Sequence, residues 1–111
     1  MNFILIPVYN DWKSLDQLLL RINSKIKQTN SIKILIVDDC SIIKRTFNLK
    51  KFNKFKEIKI LRFTKNQGSQ RAIAIGLEYL KKLNKIFYVT VMDGDGEDDP
   101  SKINEMLNTA K

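Results

Sequence analysis

Ile32-Lys33-Ile34-Leu35-Ile36-Val37-Asp38-Asp39-Cys40-Ser41 decides the fold class. The first six residues are almost unbroken aliphatic character, too short for a helix. They read as a strand buried on both faces. The run stops at a polar turn. Phe3-Ile4-Leu5-Ile6-Pro7-Val8 repeats the pattern nearer the start, and Pro7, which cannot donate to a ladder, marks that strand's end. Strands buried on both faces belong to parallel sheets covered by helices.

The rest of the chain supplies those helices. Leu15, Leu18, Leu19, Ile22 and Ile26 recur at helical spacing and predict a helix over 12–27, with Ser14 and Gln17 as a capping box. Residues 44–57 are lysine-rich with Phe47, Phe52 and Phe55 interleaved, a weak helix or an irregular crossover. A third strand is predicted over 58–63, alternating as a more exposed strand does. A second helix over 69–83 carries Ile73, Leu77 and Leu80 on one face. Residues 86–92 make a fourth strand, and Pro100 behind Asp99 opens a last helix to about 109. The expected architecture is a three-layer α/β/α domain with a mostly parallel, Rossmann-like sheet and right-handed crossovers. One domain fills residues 1–111, with no repeat and no linker.

Composition narrows the function classes. The 111 residues are 43% apolar and 29% charged, with few Gly and Pro, so the chain is not of disordered composition. No run approaches the roughly 18 apolar residues of a membrane span, and no leader peptide is readable. One cysteine makes no internal disulfide, which points to a cytoplasmic protein, at the membrane's inner face if it meets one. The absence of histidine excludes histidine triads and histidine zinc sites. The net charge of +8 suits nucleic acid, an anionic membrane surface or phosphorylated ligands, or simply solvated lysines. The same choice holds for Lys44 to Lys56: a peripheral membrane contact, or a solvated segment whose aromatics reach the core.

In a parallel sheet every strand ends at the same edge, where ligands bind. Four polar turns meet there: Tyr9-Asn10-Asp11, Asp38 to Ser41, Lys65 to Gly68, and Asp93 to Asp99. Asp38, Asp39, Asp93 and Asp95 are therefore expected to converge on one crevice. Asp93-Gly94-Asp95 aims two carboxylates at one hard cation, Mg²⁺ or Mn²⁺, which completes its shell with water and substrate phosphates. Asp98 is read as solvent-facing and Asp99 as a cap. Asp38-Asp39 are turn residues, base acceptors or metal ligands; two adjacent acids rarely both serve as caps. Arg71 holds phosphate or is a surface arginine. Tyr9 stacks on a base or covers the core. Cys40 is a turn residue.

Four segments in this order resemble the family-2 glycosyltransferases of the GT-A fold, and among them the dolichyl- or polyprenyl-phosphate sugar transferases. They are Ile6 to Asn10, Ile36 to Ser41, Asn66 to Leu77 and Val91 to Pro100. The resemblance spans almost the whole chain. It implies a UDP- or GDP-sugar donor and a divalent metal. It places Pro7 to Tyr9 on the base side, with Asp39 as base reader. Asp93 and Asp95 would hold metal, diphosphate and ribose, and Glu97, where many relatives have Gln, would join the metal set. Asp38 and Arg71 belong to the expected nucleotide-sugar site by their place at the sheet edge. Three positions depart from the family pattern: Asp11 where Glu is frequent, Ser69 where His is frequent, and Cys40 where Gly is usual. If position 40 needs a positive φ, the cysteine costs roughly 1–3 kcal/mol.

The resemblance covers only the family's nucleotide-binding half. The expectation is an inverting transferase of polysaccharide or glycolipid assembly with a lipid-phosphate or other cell-envelope acceptor, here as a truncated piece, a split subunit or a remnant. No catalytic base is readable, and nucleic acid is not an expected partner. The alternatives are a non-catalytic nucleotide-sugar module, a Toprim-like metal site acting on nucleic acid, and a receiver-like domain.

Overall fold

Period-two alternation sorts the central strands' side chains onto opposite faces. The computed structural model describes residues 2–26, 32–83 and 88–92. In β1 (Asn2–Val8), Ile4, Ile6 and Val8 enter one core, and Phe3 and Leu5 the other. In β2 (Ile32–Asp38), Ile32, Ile34 and Ile36 join the first core and Leu35 and Val37 the second. β3 (Glu57–Arg62) and β4 (Tyr88–Val91) complete a four-stranded sheet in the order β3-β2-β1-β4. All three pairings are parallel.

The first core is closed by α1 (Trp12–Lys25), whose Trp12, Leu15, Leu18, Leu19 and Ile22 are buried. Its cap is Asp11, whose carboxylate accepts from the Ser14 backbone N–H at 3.2 Å and from the Ser14 hydroxyl at 2.7 Å. The capping box therefore does not begin at Ser14, as expected; Ser14 already lies inside the first turn and answers Asp11. The helix ends at Lys25 with Ile26 as its C-cap.

Residues 44–56 form no full helix. They hold one 3-10 turn, Leu49–Lys51, and bring Phe52 and Phe55 into the first core, with Phe47 packed at its margin. Two contacts strap the segment to α1: Lys51 Nζ to Asp16 at 2.6 Å, and the Lys54 N–H donating to Asn23 Oδ1 at 3.1 Å. The phenylalanines thus serve the core and not an outer surface.

α2 (Ser69–Lys81) covers the opposite face through Ala72, Gly76 and Leu80. The sequence had put Leu77 inward, and it is exposed. Small residues explain the rotation. A Cβ on Gly76 would lie 2.8 Å from Leu5 Cδ1 and 2.9 Å from Val37 Cγ2, so the helix backbone rests directly on the sheet. The expected last helix, and the first part of the expected fourth strand, lie outside the described residues.

Candidate functional site at the carboxyl edge

The strand order itself locates a crevice. From β1 the chain steps outward to β2 and β3, then returns to the other side of β1 as β4. The reversal lies between β1 and β4, and open α/β sheets bind ligands outside the carboxyl ends of such a pair. β1 delivers Pro7, Val8 and Tyr9 to this place. β4 is last paired at Leu5–Val91, and the Met92 N–H donates to the Leu5 carbonyl at 3.0 Å. Pro7 is the next residue of β1 on that side and brings no N–H to it, and among the described residues the β1–β4 pairing ends before it. Tyr9 is 49% exposed at the mouth. Asp93, Asp95 and Glu97, expected to hold metal, lie outside the described residues, as do Asp98 and Asp99. Among the described residues no cluster of three or more His, Cys, Asp or Glu side chains is present.

The β2 turn ties the edge together. Asp38 Oδ1 accepts from the Ser41 N–H at 2.9 Å, closing the turn on itself. Asp38 Oδ2 lies 3.8 Å from Arg62 Nε at the end of β3, and Arg62 Nη2 donates to the Ser41 carbonyl at 3.3 Å. Asp39 faces the other side of the sheet. Its Oδ1 accepts from the Gln67 N–H at 2.6 Å and its Oδ2 from the Gly68 N–H at 2.9 Å. Asn66 Nδ2 adds a bond to the Asp39 carbonyl at 3.2 Å. Both carboxylates are buried. Adjacent strand residues point to opposite faces, so Asp38 and Asp39 do not converge. Two adjacent acids rarely both serve as caps, yet both carboxylates accept from backbone amides, one toward its own turn and one toward the start of α2.

Asn10 locks the β1 turn to the β2 turn. Its φ is 62°, a value that asparagine tolerates better than most residues. Its N–H donates to Ser41 Oγ at 2.8 Å, and its Oδ1 accepts from the N–H groups of Ile42 and Ile43 at 2.8 and 3.0 Å. Cys40 has φ 65°, so its position does demand the left-handed conformation. Gly68 caps α2 at φ 86°. Arg71 follows in the first turn of α2 and is exposed. A shallow recess of about 300 Å³ is lined by Arg62, Phe63, Thr64, Lys65, Gln67 and Ile75; neither Arg71 nor Tyr9 lines it.

Sequence reasoning assigned no role to Asn10, Ser41 or Gly68. The signals for them were their place in polar turns directly after strands or before a helix and their membership of the segments that carry the family resemblance.

The glycosyl transferase family 2 model matches residues 3–111. The chain belongs to that family. Family-2 membership replaces the Toprim-like and receiver-like alternatives. Dolichol-phosphate mannosyltransferase of Pyrococcus furiosus is 28% identical over 108 residues, covering 97% of this chain and 29% of the relative. An uncharacterized protein of Methanocaldococcus jannaschii is 29% identical over 105 residues, 93% of this chain and 44% of the relative. The chain thus spans less than half the length of these curated relatives. Among solved structures, Staphylococcus aureus TarS 1–349 in complex with UDP-GlcNAc superposes with a TM-score of 0.75 at 19% identity, covering 96% of this chain and 30% of that one. The Pyrobaculum calidifontis mannosyltransferase PcManGT in complex with GDP-Man and Mn²⁺ gives 0.66 at 15% identity, covering 85% and 27%. The family-2 chain therefore has the α/β fold of the N-terminal part of the GT-A glycosyltransferases.

Proposed function

We propose that this chain forms the nucleotide-sugar-binding part of an inverting glycosyltransferase. The observation that carries the reading is the β1–β4 reversal in a family-2 chain, with the exposed Tyr9 at the carboxyl end of β1 and the D-x-D stretch following β4 in the sequence. Tyr9 stacks on the base and Pro7 lines its site. Asp39 stands on the base side, keeping a second lone pair on each oxygen beyond those given to Gln67 and Gly68. Asp38 shapes the same turn. Arg71 serves the phosphates. Asp93, Asp95 and Glu97 form the metal set, since hard carboxylate oxygens suit Mg²⁺ or Mn²⁺. When bound, the metal neutralises the diphosphate leaving group. The solved neighbours whose complexes contain UDP-GlcNAc, or GDP-Man with Mn²⁺, support a UDP- or GDP-sugar donor. The dolichol-phosphate mannosyltransferase relative supports a lipid-phosphate acceptor. The cytoplasmic face of a membrane as the place of transfer is part of the proposal and rests on the single cysteine.

Calorimetric titration with UDP-, GDP- and TDP-sugars, with Mn²⁺ and with chelator, tests the reading. Tighter binding with metal is expected for one nucleotide class, and Asp95→Asn is expected to remove the difference. Equal affinity in chelator would sink the metal assignment, and no binding of any nucleotide-sugar would sink the reading itself.

A further inference from the structure

Most isoleucines of the two central strands and α1 are at most 3% exposed, whereas Ile42 is 83% and Ile43 59% exposed. They sit side by side at the tip of the turn after β2. This tip is built, not loose. Both of its N–H groups donate to Asn10 Oδ1, and the Ile43 carbonyl accepts from the indole Nε1 of buried Trp12 at 2.6 Å. An exposed loop ordinarily leaves such groups to water. With these three satisfied inside the protein, the two side chains can enter an apolar layer without stranding those amides.

Among the described residues the charge around the tip has one dominant sign. Lys44 and Arg45 follow it and are exposed. Arg62, bonded to the Ser41 carbonyl just before it, has a side chain 68% exposed. Of the described acids nearby, Asp38 is buried against Arg62, and Asp11 caps α1. We propose that the Ile42–Ile43 tip is a docking point for an anionic lipid surface, the isoleucines entering the headgroup boundary and Lys44, Arg45 and Arg62 meeting lipid phosphates. A protein partner fits less well. Two side chains fall far short of the roughly 1,200–2,000 Å² that a stable protein interface buries. A lipid surface needs only a small apolar wedge with basic residues beside it. The tip lies at the same sheet edge as Tyr9, so docking there would turn the proposed donor crevice toward the membrane. The proposal does not rest on the donor reading, because vesicle binding is measured without nucleotide.

The test is co-sedimentation of the chain with vesicles of phosphatidylcholine alone and of phosphatidylcholine with phosphatidylserine. Binding is expected only to the anionic vesicles, and to weaken with added salt. Ile42→Ser with Ile43→Ser should lower the affinity about tenfold or more while the unfolding midpoint stays unchanged. Lys44→Ala with Arg45→Ala should lower it about fivefold per charge. Three results would overturn the proposal: no binding to anionic vesicles, a serine variant that binds like wild type, and a serine variant whose only effect is to dissolve a dimer seen by light scattering. The last would make the tip a protein interface.

Discussion

The Asp39 carboxylate at the end of β2 accepts from the backbone N–H of Gly68 at 2.9 Å, across 29 positions of sequence. With the matching bond from Gln67, it holds the entry to α2 against the sheet. A residue expected to meet a ligand also fixes the loop beside that ligand's site.

Asp39→Ala is expected to leave two amides without their charged acceptor. Bonds to a charged group are worth about 1.5–3 kcal/mol, so a loss of that order should appear in urea unfolding. Asp39→Asn should recover part of it, since one oxygen still accepts. An alanine variant with the wild-type midpoint would show that the clamp carries no energy.

Cys40 occupies a left-handed conformation at φ 65°. Relief of that strain is worth about 1–2 kcal/mol, and glycine's looser unfolded chain returns about 0.4–1. Cys40→Gly should therefore stabilise the protein by roughly 0.5–1 kcal/mol, and Cys40→Val should destabilise it. Thermal midpoints of the two variants moving in the same direction would contradict the assignment.

At position 76 helix propensity and packing oppose each other. Alanine gains about 1 kcal/mol in a helix over glycine, while a methyl forced between Leu5 and Val37 costs about 1–3. Packing wins, because both neighbours are fully buried and have little room to move. Gly76→Ala should be net destabilising by about 1 kcal/mol and Gly76→Val by more. Denaturant midpoints rising in that series would mean that the helix stands off the sheet.

Glu57 titrates below its ordinary value. Burial pushes its carboxyl up, but Lys33 at 3.4 Å and Lys59 at 3.5 Å outweigh that. A carboxylate depressed in the folded state adds stability above its unfolded pKa and loses it as pH falls through the folded value. Glu57 is half-exposed, so the amount is under about 1 kcal/mol. Glu57→Gln should lower the unfolding free energy slightly at neutral pH and not at all below the carboxylate range. A difference that persists in acid would point to packing and not charge.

The strands, the parallel sheet, the family and the edge at which the turns gather were all legible in the order of residues. The strands and the sheet rest on a local cause: period-two and period-3.6 patterns of apolar side chains, read within a few positions of one another; the family rests on the resemblance of four motif segments in order. The positive φ at Cys40 entered only as a condition set by the resemblance, a cysteine standing where a glycine is usual, and the structure meets it. Other features were settled by partners far away in the chain. Leu77 faces water because Ala72 and Gly76 let α2 lie closer to Leu5 and Val37 than larger side chains would allow. Asp38 and Asp39 look alike in sequence, yet one closes its own turn and the other holds α2, because the pleat sends neighbours to opposite faces. Ile42 and Ile43 fell between two segments and received no reading from the sequence. Their outward place follows from Asn10 and Trp12, more than 30 positions earlier, which take up their backbone groups. Periodicity records what a residue prefers to bury. Which amide meets which carboxylate depends on register and crossing geometry, and those exist only once the layers have packed.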